Sequence, residues 1–495
     1  MKVMIAYPPL DSDKGVPLLG QNRQFQWFNN PTYIYPVVPA QAATLLKSRG
    51  YDVIWSDGIA EDWTYEQFLE HVKREKPDLI AVETKTPVVK QHWKIVNDLK
   101  RLQTSDFRLQ TVLFGDHVTA LPEESMQNSA VDFVLTGGNY DFMLLSLCDY
   151  LSTTDKRQPA ALEPGIWYRQ SGQIKDTGPF ELSHDLNSLP FIDRVLTKWH
   201  LYSEKNGNYK YLPGTYLMSA RDCWWGRCTF CSWTTTYPKY KMRSPENVLD
   251  EIGDLIEKYD VKEIMDDSGS FPTGKWLKDF CEGMIERGYR EKVVLDGNMR
   301  FGALSLEEYR LMKEAGFRLL LFGLESGNQE TLDRVNKGLT IEEIEVSCKL
   351  AGKAGFDPHI TVMFGYPWET QEDIKKTADF AKHLMRKGYA STLQATIVIP
   401  YPGTPLFEEC KKNGWLKTLD WTQYDMREPV MKTPVGDEKL KEAVQSLYKV
   451  AFHPEFVARK ILNVRSLEDI KFLSRAALKV GGHLLDFKSG SGKNC

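Results

Sequence analysis

Short apolar runs alternate with amphipathic stretches over the first third of the chain. Five of these runs have strand length and are rich in β-branched residues: KVMIAY, DVIWS, DLIAVE, TVLFG and DFVLT. Between them lie stretches of helical period, such as VPAQAATLLKSRG and TYEQFLEHVKREK. The alternation predicts an α/β fold over residues 1–151, a Rossmann-like doubly wound parallel sheet with helices on both faces. Such sheets bind ligands beyond the carboxyl ends of their strands.

The pattern changes over residues 152–212. GIWYRQSGQIKDTG alternates apolar and polar residues around Ser171-Gly172, which predicts a β-hairpin. DLNSLPFIDR follows and has the composition of an extended connector. We therefore predict a linker that contains a small ribbon and has no core of its own.

The βα alternation resumes at residue 213 with six strand candidates: TYLMSA, VKEIMD, KVVLDG, RLLLFG, HITVMFG and LQATIVIP. A helical stretch follows each of them, so residues 213–411 are predicted to form a partial (β/α)6 TIM-like barrel with its chemistry at the carboxyl ends of the strands. Residues 412–495 carry a mostly polar helical pattern and end in FKSGSGKNC. This part is predicted to be a mainly helical region with a flexible tail.

Composition limits the classes of protein that need consideration. The 495 residues are 42% hydrophobic and 26% charged, with a formal net charge of -4, which is ordinary for a multidomain globular protein. The chain has no long basic run, so nucleic acid is not an expected partner. It has no apolar run of transmembrane length, and its first residues do not have the pattern of a signal peptide, so a cytoplasmic location is expected.

Cysteine is unevenly distributed. Three of the eight cysteines lie in SARDCWWGRCTFCSW, spaced C-x4-C-x2-C, whereas the others are far apart and are expected to be reduced thiols. A structural zinc site usually has four ligands in two pairs, and no second pair exists here, although zinc could recruit a distant His or Cys. Three thiolates suit a [4Fe-4S] cluster better, because its fourth iron can then bind a substrate or cofactor.

A glycine-containing cysteine loop after the first strand of a partial barrel resembles the radical S-adenosylmethionine (SAM) superfamily. The commonest spacing in that family is C-x3-C-x2-C, so this loop has one extra residue. Further segments resemble the family's strand-end motifs in the expected order: IMDDSGSF, in which Asp-Asp-Ser replaces the usual Gly-Gly-Glu, then GNMRF, LFGLESGNQETLDRVNKG, TVMFGYPWET and IPYPGTPLF. The resemblance implies that a [4Fe-4S] cluster binds to Cys223, Cys228 and Cys231. It also implies that SAM is bound by Phe230, Asp266, Asp267, Ser268, Arg300, Glu325, Ser326, Gly365 and Pro367.

The first predicted sheet resembles the cobalamin-binding domain that precedes many radical SAM modules. The resemblance lies in VLFGDHVTALPEES and VDFVLTGGNYDFMLLSL, although the usual motifs are closer to Gly-Gly-Pro-His and Gly-Glu-Gly-Glu. The chain has no Asp-x-His-x-x-Gly element, and His117 is expected to be a solvated loop residue and not a cobalt ligand. The alternative is a domain that only packs or binds substrate, in which the glycines merely form tight turns. The resemblance implies that cobalamin is bound by Thr84, Gly115, Asp116, Thr136, Gly137 and Gly138.

Together these resemblances imply a cobalamin-dependent radical SAM methyltransferase that acts on an unactivated carbon. Such an enzyme takes a small-molecule or lipid-like substrate and an electron donor such as flavodoxin or ferredoxin. A radical cyclase, oxidase or rearrangement enzyme of tetrapyrrole, hopanoid or natural-product biosynthesis is an alternative, and a cluster- or corrinoid-binding protein without turnover is another. The aromatic segment NRQFQWFNNPTYIYP, residues 22–36, either faces the substrate or covers the sheet edge. No catalytic acid or base can be named from the sequence.

Overall fold

The computed structural model describes residues 1–18, 25–29, 32–153, 162–206, 208–462 and 464–486. The strands are β1 (Lys2–Tyr7), β2 (Val16–Leu18), β3 (Gln26–Phe28), β4 (Asp52–Asp57), β5 (Leu79–Glu83), β6 (Gln110–Phe114), β7 (Phe133–Leu135), β8 (Ile166–Gln170), β9 (Gln173–Asp176), β10 (Gly214–Leu217), β11 (Ala220–Arg221), β12 (Lys241–Met242), β13 (Glu263–Asp266), β14 (Val294–Met299), β15 (Phe317–Glu325), β16 (His359–Phe364) and β17 (Thr392–Ile397).

The helices fall mostly between these strands. They are α1 (Val37–Ser48), α2 (Tyr65–Glu75), α3 (Val89–Arg101), α4 (Asp116–Ala120), α5 (Pro122–Asn128), α6 (Tyr140–Ser152), α7 (His200–Ser203), α8 (Trp233–Thr236), α9 (Pro245–Tyr259), α10 (Lys275–Glu286), α11 (Leu306–Glu314), α12 (Gln329–Arg334), α13 (Ile341–Lys353), α14 (Gln371–Lys387), α15 (Pro405–Lys412), α16 (Asp437–Tyr448), α17 (Pro454–Leu462) and α18 (Leu467–Asp486).

The first sheet has the order β4-β1-β5-β6-β7-β8-β9. Its first five strands are parallel, as the sequence predicts, and their order along the chain is 2-1-3-4-5. This is the flavodoxin-like doubly wound order, whose topological switch point lies between β1 and β5. The predicted hairpin forms as β8 and β9, and it pairs antiparallel with β7, so it extends this sheet.

The second sheet consists of six parallel strands in chain order, β10-β13-β14-β15-β16-β17, which is the order expected for a partial barrel. Local sequence sets the helix starts between these strands. Ser305, Thr340 and Thr370 each form a capping box at the start of α11, α13 and α14, because a hydroxyl at the N-cap and a carboxylate three residues later satisfy exposed backbone donors reciprocally. Because the six strands are parallel, their carboxyl ends all lie at one edge of the sheet.

The C-terminal region is helical, as expected, and α16 covers the last strand of the second sheet. The Tyr448 hydroxyl accepts a hydrogen bond from Ala395 N at 3.1 Å and donates one to Ala395 O at 2.9 Å. These bonds occupy backbone groups of β17 that an edge strand would otherwise expose. Within the part of the chain that the structure describes, no helix combines the length and the apolarity needed to span a bilayer. The predicted tail, residues 487–495, lies outside that part.

Much of the aromatic segment at residues 22–36 packs into the core of the first sheet. Phe25, Trp27, Ile34 and Tyr35 are all buried there, while residues 22–24, 30 and 31 lie outside the described residues. The buried members therefore belong to the core of the first sheet, and the two roles that the sequence left open stay predictions.

A buried charge cluster closes the amino-terminal end of the second sheet. The Arg318 guanidinium lies 2.8 Å from Glu263 and 2.5 Å from Asp296, and both carboxylates are almost inaccessible to solvent. Burial, followed by the negative charge of Asp296, raises the pKa of Glu263 well above its usual value. Arg318 therefore compensates two carboxylates that face the protein interior.

Candidate active site

The cysteine loop, residues 222–240, begins at the carboxyl end of the second sheet and is fastened there by β13. Asp266 Oδ2 accepts a hydrogen bond from Ser219 N at 3.0 Å, and Ser268 Oγ accepts one from Ala220 N at 2.9 Å. Asp266 is 4% exposed, and burial raises its pKa. Asp266 and Ser268 thus hold the start of the cysteine loop; their predicted contact with SAM stays a prediction.

The three thiols of the cysteine loop are unpaired and half-buried. Burial, and then the negative charge of Cys228, raises the pKa of Cys231 well above its usual value, so thiolates here need a neighbouring cation. Among the described residues, no three His, Cys, Asp or Glu side chains are grouped to hold a single metal ion. Trp224 Nε1 and the Tyr240 hydroxyl of the same loop are buried without a hydrogen-bond partner. Since buried polar atoms are rarely unpartnered, these groups fit a loop that encloses a further polar group, as a cluster with bound SAM would be.

Trp225, between the first two cysteines of the loop, contacts the turn at residues 336–338. Trp225 Nε1 donates to Asn336 O at 2.9 Å, and the Arg300 guanidinium lies 4.0 Å from the centre of the Trp225 ring. Arg300 also donates to Gly338 O at 2.8 Å, and a β-carbon at Gly338 would overlap the Trp225 ring. Arg300, predicted to meet the SAM carboxylate, therefore also supports the cysteine loop. Sequence reasoning missed the part played by Trp225, because its backbone partner, Asn336, lies 111 residues away.

Glu325 and Lys337 form a buried ion pair beside the cysteine loop. Their side chains lie 2.7 Å apart, and each is 10% exposed. Burial opposes the charge on Lys337, but the negative charges of Glu325 and Cys228 outweigh it, so the pKa of Lys337 is raised. Lys337 was not predicted, and it brings a permanent positive charge close to a predicted cluster ligand.

Ser326 lies in a buried hydroxyl–carboxyl network. Its Oγ donates to Glu369 Oε1 at 3.1 Å, and Thr331 Oγ1 donates to the same oxygen at 3.0 Å. Burial raises the pKa of Glu369 to about 7, and Glu369 Oε2 has no hydrogen-bond partner. The network fixes the turn after β15 against the turn after β16.

We expect Glu369→Gln to remove a pH dependence of stability from the protein without cofactors. The folded-state pKa of Glu369, about 7, lies above its ordinary value of 4.5, so the folded state holds this proton more tightly. Stability is therefore present at low pH and is lost as pH rises from about 4.5 to 7. Over that window the free energy of unfolding of the variant should gain up to about 3 kcal/mol relative to wild type. Urea titrations at pH 5 and pH 8 measure this; an equal difference at both pH values would contradict it.

Three more of the predicted SAM residues lie at the same edge. Gly365 has a φ of +98°, and a β-carbon there would lie 3.3 Å from Leu440 of α16. Pro367 is buried, and Phe230 packs in one hydrophobic cluster with Tyr366. The structure thus brings the segments after β10, β13, β14, β15 and β16 together, as the sequence predicts, and their contacts with SAM remain predictions.

At the first sheet, the predicted cobalamin residues also lie at one edge. Thr84 Oγ1 is 2.8 Å from His92 Nδ1, and Asp116 Oδ2 is 3.4 Å from Lys85 Nζ. A β-carbon at Gly115, whose φ is +124°, would overlap the Thr84 carbonyl oxygen. Close backbone packing accounts for this glycine.

The next loop of that edge is covered by aromatic side chains. The Thr136 hydroxyl donates a hydrogen bond to Gly165 O at 2.7 Å. A β-carbon at Gly137 would overlap the Phe180 ring, and one at Gly138 would overlap the Tyr237 ring. These glycines therefore permit close approach of two aromatic rings, and their predicted contact with cobalamin stays a prediction.

The expectation that His117 is solvated is wrong. The residue is 1% exposed, and its Nδ1 and Nε2 lie 3.2 Å from Thr86 Oγ1 and 3.1 Å from Glu124 Oε2. Trp421 packs edge-on against the ring at 5.4 Å between centres. The segment after the second sheet thus buries a residue of α4, and both ring nitrogens are occupied.

A buried polar cluster lies at the switch point between β1 and β5. The Tyr7 hydroxyl donates to Glu83 Oε2 at 2.6 Å, while Lys85 Nζ lies 3.9 Å from Glu83 Oε1. Burial raises the pKa of Glu83 to about 7. The nearby Tyr140 hydroxyl is buried and has no hydrogen-bond partner. Unpartnered polar atoms at the place where such sheets bind ligands fit a polar cofactor or its tail.

The cysteine loop packs directly on this edge of the first sheet. Arg221, which precedes the loop, forms a salt bridge with Asp141 at 2.6 Å, and both side chains are buried. At the other end of the loop, the Tyr237 hydroxyl donates to Gly138 O at 3.1 Å. The predicted cluster region and the predicted cobalamin region are therefore in direct contact through the cysteine loop.

Residues 219–381 match the Radical SAM superfamily. This stretch contains the cysteine loop and the strands up to β16, so it is a radical SAM domain, and the protein is a radical SAM enzyme. The domain implies a [4Fe-4S] cluster and SAM as cofactors.

Known proteins resemble the chain beyond that domain. An uncharacterized methyltransferase of Pyrococcus horikoshii is 26% identical over 90% of this chain and 92% of its own. The anaerobic magnesium-protoporphyrin IX monomethyl ester cyclase of Rubrivivax gelatinosus is 26% identical over 84% of this chain and 73% of its own. The structure of the radical SAM methyltransferase TsrM from Kitasatospora setae, with cobalamin and a [4Fe-4S] cluster bound, aligns with 97% of this chain and 99% of its own, at a TM-score of 0.69 and 14% identity. At that identity the likeness shows a common fold.

Proposed function

We propose that the protein is a cobalamin-dependent radical SAM methyltransferase that methylates an unactivated carbon. The observation that carries the proposal is the packing of the cysteine loop against the carboxyl edge of the first sheet, through Arg221 and Tyr237. A sheet of this strand order binds its ligand at that edge. A cluster with SAM and a cobalamin would therefore face a common space. A relative named as a methyltransferase and a methyltransferase of the same fold that holds both cofactors support this assignment.

Some residues of the cysteine loop would bind the cluster, and others would keep water away from it. Cys223, Cys228 and Cys231 would bind three irons and leave the fourth for SAM. When bound, the reduced cluster supplies the electron that splits SAM, and cobalamin carries the methyl group. Phe230, which is buried, would exclude water from the loop, and this would protect reactive species from side reactions.

Buried ionic groups hold the same site in place. Lys337 offsets negative charge near Cys228, and its pair with Glu325 fixes the turn that follows β15. Arg300 stacks on Trp225 and bonds to the turn at Gly338, so it keeps the cysteine loop closed. These contacts preorganise the site before SAM arrives.

The substrate and the electron donor are proposed by class. A small-molecule or lipid-like substrate would enter the space between the two sheet edges, and a small reductant such as flavodoxin or ferredoxin would supply electrons. The cyclase relative keeps a radical cyclase as a second candidate. The product distinguishes the two, because methylation adds the mass of one methyl group and cyclisation does not.

Anaerobic reconstitution with iron, sulfide and hydroxocobalamin tests the proposal. After gel filtration, we expect the protein to retain both cluster absorption and a corrinoid band. With SAM and a reductant, it should release both 5′-deoxyadenosine and S-adenosylhomocysteine. Cluster absorption without a corrinoid band would contradict the cobalamin assignment and leave a radical SAM enzyme of another type. A sample prepared without iron and sulfide is the control for corrinoid binding by the first sheet alone.

A further inference from the structure

Arg221 connects the cysteine loop to the first sheet through a buried fork of hydrogen bonds. The residue lies two positions before Cys223 and is 2% exposed. Its Nη1 donates to Asn139 Oδ1 at 2.8 Å and Asp141 Oδ1 at 3.1 Å. Its Nη2 donates to Asp141 Oδ2 and Gln41 Oε1, each at 2.6 Å. A guanidinium bound at both nitrogens to one carboxylate is fixed in direction as well as in distance.

Two partners of Arg221 lie next to residues of the predicted cobalamin site. Asn139 and Asp141 directly follow the loop of Thr136, Gly137 and Gly138, at the start of α6. Asp141 is completely buried and Asn139 is 3% exposed. The fork therefore ties the residue before the first cluster cysteine to the loop that would border the corrin.

Tyr237 ties the other end of the cysteine loop to the same place. Its hydroxyl donates to Gly138 O at 3.1 Å, and its ring occupies the space that a β-carbon of Gly138 would need. In addition, α8 of the cysteine loop contacts α4, the short helix that follows Gly115. The cysteine loop is thus held at both ends by one edge of the first sheet.

We propose that Arg221 and Asp141 are positioning residues that set the distance and orientation between the cluster and the cobalamin. The inference rests on the proposed function and adds to it the device that aligns the two cofactors. Alignment matters because a misplacement of about 1 Å in a reacting pair can lower a rate on the order of a hundredfold. Arg221 and Asp141 touch neither cofactor in this account; they act through the loops that they join.

The test compares Asp141→Asn with Asp296→Asn in the reconstituted holoenzyme. Both changes remove one buried carboxylate that an arginine compensates, but Asp296 lies at the opposite end of the second sheet. Pulsed electron paramagnetic resonance measures the distance between the reduced cluster and cob(II)alamin. We expect a single narrow distance in wild type and in Asp296→Asn, and a broadened or shifted one in Asp141→Asn. The ratio of S-adenosylhomocysteine to 5′-deoxyadenosine should fall on the order of tenfold in Asp141→Asn only.

Two results would overturn the inference while leaving the proposed function intact. One is an unchanged distance and ratio in Asp141→Asn; the other is an equal change in Asp296→Asn, which would indicate a general loss of stability. If Asp141→Asn does not retain its cluster, Arg221→Lys keeps the positive charge but loses the two-nitrogen contact with Asp141, and it should shift both readouts in the same direction by a smaller amount. Unchanged readouts there would also overturn the inference. A wild-type protein that binds the cluster but no corrinoid would refute the proposed function and this inference together.

Discussion

Replacing Cys223, Cys228 or Cys231 singly by alanine is expected to lower bound iron and 5′-deoxyadenosine production to the level of a blank. Each thiolate would bind one iron, and the loop offers no spare cysteine; the other described cysteines are buried elsewhere. Two remaining thiolates would leave two irons without protein ligands, so the cluster would be lost during purification. Iron and sulfide analysis, with quantification of 5′-deoxyadenosine after addition of SAM and a reductant, measures the effect.

Cys348→Ala is the matched control for these variants. Cys348 lies on α13 in the hydrophobic core and is fully buried. Its replacement should cost stability through the small cavity that it leaves, but the variant should keep wild-type iron content. SAM cleavage that survives in any of the three loop variants, or iron lost equally from Cys348→Ala, would contradict the assignment of the ligands.

The second large effect is expected from Arg318→Met, which should lower the free energy of unfolding by about 3–5 kcal/mol at pH 8. Arg318 is the cation that lies against Glu263 and Asp296. Methionine preserves much of the side-chain volume, so the loss arises from two buried carboxylates left without compensation. Urea denaturation of the protein without cofactors measures it.

Two further measurements distinguish lost charge compensation from lost packing. They are the pH dependence of the Arg318→Met penalty and the same penalty in a protein that already carries Glu263→Gln and Asp296→Asn. The folded-state pKa of Glu263 is already raised by burial and by Asp296, so its neutral form stabilises the protein at low pH, and that stability is lost as pH rises above about 4.5. The penalty of Arg318→Met should therefore shrink as pH falls towards 5. It should also shrink when Glu263→Gln and Asp296→Asn are already present. A penalty that is independent of pH and background would show that Arg318 acts only by packing.

The strands were predictable because their apolar runs are local in sequence. The five parallel strands of the first sheet and the six of the second all follow from runs such as DLIAVE and HITVMFG. The pairing of the β8–β9 hairpin with β7 was not predicted, since alternating apolar and polar residues define a ribbon without specifying its neighbour. Strand existence is a local property, whereas the partner of an edge strand depends on the assembled sheet.

The candidate site also has parts that the local sequence predicts and parts that it does not. Cys223, Cys228 and Cys231 could be found because they lie close together in sequence, and the segments around Glu325 and Gly365 follow predicted strands. The links from Arg221 to Asp141 and from Trp225 to Asn336 span 80 and 111 residues, so no local pattern reveals them. His117 was misjudged for a related reason: its burial depends on Trp421, which also donates to Glu124 across 297 residues. Long-range packing decides the environment of such a residue, and the sequence around it does not.

The fate of SAM with anaerobically reconstituted wild-type protein tests directly whether the three loop cysteines hold an iron–sulfur cluster that cleaves SAM. We expect about four irons and four sulfides per chain and the release of 5′-deoxyadenosine and methionine only when a low-potential reductant is present. A single zinc ion bound by four ligands at Cys223, Cys228 and Cys231, with SAM left intact, would contradict it.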